Sequence, residues 1–113
     1  QTLCVLVDVL YATGKTEQAR RMLHIAVLRA QSVDERLNVA VESAKHGEDG
    51  LTLRLTRSLL RRDPYCMRGM MLRGCALMNL RRFDEAKRVF GRLCVLLPED
   101  TVCQAYYAMA RNK

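Results

Sequence analysis

Apolar and polar positions alternate with the period of an α-helix along nearly the whole chain. Between Met67 and Asp100, apolar side chains recur every three or four residues, pause at Arg81–Arg82, resume at Phe83 and end before Pro98. This spacing places the apolar side chains on one face of each helix. Proline ends the second run because it lacks the N–H that a helix interior needs. The pattern therefore predicts two helices joined by a short turn.

The same periodicity extends over the rest of the chain. Gly14 and Gly47 interrupt it at positions that favour turns, and Ser32 and Glu35 are spaced as a capping box at the start of a helix. The Asp63–Pro64 pair is expected to end one helix and to cap the next. The pattern predicts seven helices, over residues 2–13, 16–30, 33–46, 50–62, 65–80, 83–96 and 101–111.

The turns and small residues repeat with a period of 33 or 34 residues, as the spacing from Gly14 to Gly47 shows. Within residues 67–100 the chain resembles the tetratricopeptide repeat. The resemblance rests on two small residues, two large apolar ones and a terminal proline at the family's positions: Gly74, Leu77, Ala86, Phe90 and Pro98. An earlier copy, over residues 33–66, retains the proline as Pro64 and the small eighth residue as Ala40, but Thr52 and Thr56 replace the alanine and the aromatic residue.

The resemblance implies an all-α fold, a right-handed α-solenoid of antiparallel helix pairs. Its repeats would span about residues 1–32, 33–66 and 67–100, with a capping helix over 101–113, all in one domain. Because the chain begins at Gln1 rather than Met, we expect a fragment of a longer protein. The residues expected to carry the repeat geometry are Gly14, Ala19, Gly47, Pro64, Gly74, Ala86, Phe90 and Pro98.

In this family the first helix of each repeat lines a concave groove. The resemblance implies an apolar groove for an extended or helical peptide, in which Asn38 and Arg68 hold backbone or acidic groups. Alternatively, these positions pack against a further repeat, another domain or a second copy of the chain. The carboxylate-binding use of such grooves is disfavoured, because Asp8 would repel the ligand. The expected groove residues are Leu37, Asn38, Val41, Arg68, Met71, Leu72, Cys75, Met78 and Tyr106.

Composition supports helices and restricts the possible environments. The 113 residues include only 6 glycines and 2 prolines, too few for a sandwich or barrel of short strands. No apolar run is long enough to span a membrane. The 5 cysteines include no Cys-x-x-Cys pair, and their odd number argues against a disulfide framework. We therefore expect reduced, packing cysteines and a cytoplasmic protein.

The charge adds a second possible partner class. The net charge of +7 comes mainly from arginines in the second helices and at helix ends, such as Arg20–Arg21, Arg61–Arg62 and Arg81–Arg82. A solvated outer face is the simplest interpretation, in which Glu85 pairs with Arg88 and Arg92. Binding of nucleic acid or of an acidic partner is the alternative, although no aromatic residues alternate with the arginines.

The sequence offers no pattern typical of catalysis or of a bound cofactor. The two histidines are His24 and His46. Their distance from each other and from every cysteine in the sequence does not match the spacing of metal ligands. Gly14-Lys15-Thr16 lacks the upstream glycine of a phosphate-binding loop. We therefore expect no enzyme, no cofactor and no metal. The predicted function is protein–protein interaction as a scaffold or adaptor, with homo-oligomerisation as a structural alternative.

Overall fold

The computed structural model describes residues 2–113, and these residues form helices and turns only. The helices are α1 (Thr2–Ala12), α2 (Thr16–Arg29), α3 (Val33–Lys45), α4 (Asp49–Arg62), α5 (Met67–Asn79), α6 (Phe83–Leu96) and α7 (Thr101–Arg111). Every predicted helix is present, and each end lies within two residues of its predicted position. The predicted all-α class is therefore confirmed.

The helices pack in the order in which the chain makes them. Each helix contacts the next one, and α3 also contacts α5 across the layer. Asp8 of α1 bonds to His46 at the end of α3, so the first helices of successive pairs lie side by side. The apolar interior accordingly forms two clusters along the stack, one centred on Leu23 of α2 and the other on Phe90 of α6. Each pair packs on its neighbours along the stack, as in a helical repeat.

The closest approach between paired helices occurs at Gly74. A Cβ atom placed there would lie 2.5 Å from Cζ of Phe90, whose side chain is fully buried. Ala86, one turn before Phe90 on α6, is buried as well. The two small residues leave room for the Phe90 ring between α5 and α6, and the ring fills that room.

The turn inside each helix pair uses the left-handed backbone region at one residue. Gly14 has φ 79° and Gly47 has φ 75°, and at the corresponding place in the third pair Arg81 has φ 60°. Glycine adopts this region without a steric penalty, whereas a residue with a Cβ atom does not. The repeat geometry therefore demands this conformation even where the sequence offers no glycine.

We expect Arg81→Gly to raise the free energy of unfolding by about 0.5–1 kcal/mol, since relief of the left-handed penalty exceeds the added chain entropy. Gly47→Ala, the reciprocal change at the equivalent turn, should lower it by about 1 kcal/mol. Urea denaturation of both variants against the wild type measures the two effects. A loss of stability in Arg81→Gly would contradict the equivalence of the turns.

Among residues 2–113, side chains cap two of the helices. The amide of Glu35 donates to Ser32 Oγ, and the amide of Ser32 donates to Glu35 Oε1, both at 3.1 Å, so the predicted capping box is present. Asp100 accepts the amides of Val102 and Cys103 at the start of α7. The expectation that Asp63 caps α5 is wrong.

Instead, Asp63 ends α4, and its carbonyl oxygen accepts the amide of Cys66, which precedes α5. The chain turns at Pro64–Tyr65, so α5 begins at Met67. No described helix is long and apolar enough to cross a lipid bilayer. All five cysteines are free.

Candidate functional site

A cavity of about 500 Å³ opens between α5 and α7, and we refer to it as the α5–α7 cavity. Its apolar and aromatic side chains come from facing positions of the two helices and from the first residue of α6. The lining residues are Cys75, Met78, Asn79, Arg81, Phe83, Tyr106, Met109 and Lys113. Its volume falls in the range of ordinary ligand pockets.

The wall of the cavity is held in place by the core beneath it. The ring of Tyr106 stacks on Phe90, with ring centroids 5.1 Å apart and an interplanar angle of 10°. Burial raises the pKa of the Cys75 thiol, and the neighbouring Cys75 raises the pKa of Tyr106. Both groups are therefore uncharged at neutral pH, and they place two weakly polar atoms beside the side chains of Met78 and Met109.

The rim of the cavity is cationic. Arg81 stands at one edge, and Lys113 stands at another with Nζ 5.9 Å from the centroid of the Phe83 ring. Asn79 is the remaining polar residue, and none of the lining residues is acidic. The rim favours ligands with negative charge next to their apolar part.

The apolar surface continues along α7. A second, shallower cavity of about 420 Å³ shares Tyr106 and Met109 with the first and extends over Val102 and Ala105. Val102 and Met109 are exposed at the surface. The two cavities form one band of apolar surface, wide enough to take more than one side chain of a ligand.

The structure brings together three of the nine predicted groove residues, namely Cys75, Met78 and Tyr106. Met71 and Leu72 are half-buried beside them on α5. Met71 packs on the core cluster around Phe90, and Leu72 packs on the cluster around Leu23. These two residues therefore pack against the core next to the α5–α7 cavity and do not line it.

The predicted groove residues of α3 lie elsewhere. Leu37 is only 9% exposed, so it offers a partner little surface. Val41 is half-buried. Asn38 is exposed but lines a different depression with Cys4, between α1, α2 and α3. Arg68 is exposed at the start of α5 and lies outside the α5–α7 cavity.

Arg81 and Lys113 were missed as lining residues by the sequence analysis. Arg81 belongs to a turn, and Lys113 follows the last helix, so neither occupies a groove position of a repeat. The repeat spacing does place Arg81 at the turn position that glycine occupies in the two earlier pairs, as Gly14 and Gly47. Asn79, Phe83 and Met109 line the cavity as well.

Part of the basic surface is already paired. Glu85 bonds to Arg82 through both carboxylate oxygens, at 2.7 and 2.8 Å, and not to Arg88 or Arg92 as predicted. Arg20 bonds to Glu17 and to Glu48, each at 2.9 Å. These pairs reduce the free positive charge available to a nucleic acid.

Comparison with solved structures identifies the fold as a helical repeat of the tetratricopeptide type. The similar structures include those of MamA, a TPR-like helical repeat protein. One of them, MamA AMB-1 in the P212121 form, has a TM-score of 0.75 and 21% identity, and the match covers 97% of this chain and 61% of that chain. A mutant form of MamA gives a TM-score of 0.76 at the same identity and coverage.

The chain thus spans less than two thirds of the length of the MamA chains it matches. No protein-family model matches it, and no curated protein does. At this level of identity, the similarity to MamA shows the fold alone.

Proposed function

We propose that this chain is a non-enzymatic protein-interaction module whose α5–α7 cavity binds an apolar segment of a partner protein. The observation that carries the proposal is the band of apolar surface along α5 and α7, in which Met78, Tyr106 and Met109 remain accessible. Apolar surface of this kind usually marks a binding site for a partner. The TPR-like fold supports the same function, because such folds commonly present binding surfaces on their first helices.

The chemistry of the cavity indicates what the segment should contain. Methionine side chains are flexible and polarisable, so Met78 and Met109 can adapt to apolar side chains of different shapes. Arg81 and Lys113 on the rim attract acidic residues and repel basic ones. The proposed ligand is therefore a peptide segment with a large apolar anchor and at least one neighbouring Asp or Glu.

Selection from a random peptide library on the immobilised chain tests this proposal. Enriched sequences should contain a large aromatic or aliphatic residue with acidic residues nearby, and basic residues should be depleted around it. Sequences enriched without an apolar anchor would contradict the proposal. Enrichment that survives unchanged on a Met109→Glu variant would contradict it as well.

Two further experiments on the purified chain test the other functions that the sequence allows, namely nucleic-acid binding and self-association. Nucleic-acid binding would show as steeply salt-dependent retention of an oligonucleotide, lost when Arg81, Arg82 and Arg88 are replaced together. Self-association through the cavity would show as a dimer in light scattering that the Met109→Glu variant no longer forms. We expect neither result, and either one would replace the peptide as the proposed ligand.

A further inference from the structure

A second group of polar side chains lies at the other end of the stack, between α1 and α3. Asp8 projects from α1, while Glu42 and His46 are one helical turn apart on α3 and its C-cap and so share a face. One ligand atom from each of the three residues lies within 4.8 Å of the other two. Within the group, His46 Nε2 lies 2.7 Å from Asp8 Oδ1. We refer to these residues as the α1–α3 cluster.

One atom of the α1–α3 cluster is buried and lacks a partner. Glu42 is 9% exposed, and among the described residues its buried Oε2 has no hydrogen-bond partner. The same oxygen lies 3.5 Å from His46 Nε2, so it points towards the centre of the cluster. Burying a carboxylate oxygen without a partner is costly, and a cation between the three side chains would remove that cost.

The imidazole of the cluster is held in a fixed plane. Tyr11 stacks on His46, with centroids 4.0 Å apart and an interplanar angle of 11°. Tyr11 is itself fixed, because its hydroxyl donates to Glu48 at 2.9 Å and Arg20 donates to the same carboxylate. Such outer contacts orient the ligands of metal sites and lower the cost of assembling them.

The charges at the cluster suit a cation. The hydrogen bond from His46 lowers the pKa of Asp8 to about 2, so Asp8 is an anion at neutral pH. Burial raises the pKa of Glu42, and the nearby Asp8 raises it further. Lys45 Nζ lies 3.2 Å from Asp8 Oδ2 and offsets part of this charge, but its side chain is more than half exposed and can turn towards solvent.

We propose that Asp8, Glu42 and His46 form a binding site for a divalent transition-metal ion, with Zn²⁺ as the representative. Two carboxylates and one imidazole suit zinc or manganese better than calcium or magnesium, since the latter take oxygen ligands almost exclusively. Three protein ligands leave a further position for water. On binding, His46 offers Nε2 as the ligand and carries its proton on Nδ1, while Glu42 gives up any proton that it holds. The bound ion would join the first helix pair to the second.

Calorimetric titration of the chelator-treated chain with zinc chloride tests this site. We expect one equivalent to bind at the cluster, and His46→Ala and Glu42→Gln each to weaken it at least about 10-fold, a loss typical of altered metal ligands. His24→Ala is the matched control, because it removes the other histidine, which lies outside the cluster, and should leave the affinity unchanged. Free thiols also bind zinc, but His46→Ala and Glu42→Gln retain all five free cysteines, so zinc held by thiols would still bind to these two variants.

Thermal unfolding supplies a second readout that a purely structural role would not give. Zinc at 100-fold excess over its Kd should raise the Tm of the wild type by roughly 10 °C. At the same zinc concentration the shift should fall to about half of that value or less in Glu42→Gln, whose metal-free Tm should stay at or above that of the wild type. Equal zinc affinity in the wild type and in His46→Ala would overturn the proposal, as would equal loss of affinity in His24→Ala.

Discussion

Replacing Phe90 with alanine is expected to lower the free energy of unfolding by about 3–5 kcal/mol. The ring is fully buried between α5 and α6, against the backbone of Gly74 and beneath Tyr106. Its removal loses the transfer free energy of a phenyl group and leaves a void. The surrounding helices can close this void only in part, because α6 is fixed by its contacts with both α5 and α7.

Urea denaturation measures this loss, and Phe83→Ala is the matched control. Phe83 has the same side chain, but it lies half-buried at the first position of α6, so we expect its removal to cost only about 1 kcal/mol. Natural domains are stable by about 5–15 kcal/mol, so Phe90→Ala could unfold the chain entirely. In that event Phe90→Leu, with an expected loss of about 1–1.5 kcal/mol, keeps the comparison measurable. Equal losses at the two phenylalanines would contradict the assigned packing.

The helices could be predicted from the sequence because the apolar period is a local property of each segment. Glycine indicated only two of the three turns inside the helix pairs. The left-handed backbone conformation of each turn is imposed by the two helices that the turn joins, so a residue other than glycine can adopt it. Arg81 adopts it at φ 60° without being a glycine, and no local signal identifies such a residue. The repeat spacing from Gly14 and Gly47 was the available indication.

The candidate binding surface was predictable only where the exposure of a residue follows from its repeat position. Cys75, Met78 and Tyr106 occupy groove positions and line the α5–α7 cavity, but Leu37 occupies one and is covered. The extent to which a neighbouring helix buries a groove residue depends on side-chain packing between repeats. The spacing of the repeats in the sequence does not determine this packing. The cationic rim at Arg81 and Lys113 likewise depends on where a turn and a chain end come together.

The α1–α3 cluster escaped the sequence analysis for a related reason. Metal-ligand spacing between histidines and cysteines gives no sign of the cluster, because the ligands beside His46 are the carboxylates of Asp8 and Glu42. Glu42 stands one turn before His46 and is visible in the sequence as a pair with it. Asp8 lies on another helix pair and reaches the cluster only through the packing of α1 against α3.

Met78→Glu is expected to weaken the binding of a peptide selected on the wild-type chain by at least about 30-fold, which corresponds to about 2 kcal/mol. The new carboxylate would stand inside an apolar cavity and would have to lose its water when a ligand enters. It would also repel the acidic residue expected beside the anchor. Met109→Glu should act in the same way, and its side chain is already 50% exposed, so folding should be unaffected.

The most direct test of the proposed function is the Kd of that peptide, measured by fluorescence anisotropy for Met109→Glu and for Leu28→Glu. Leu28 is an 84% exposed leucine on α2 and lies outside both the α5–α7 cavity and the shallower cavity along α7, so the Leu28→Glu variant controls for the added charge. Circular dichroism should show the same helix content in both variants. We predict a Kd raised at least about 30-fold by Met109→Glu and unchanged by Leu28→Glu. Equal Kd values for the two variants would contradict the assignment of the α5–α7 cavity as the binding site.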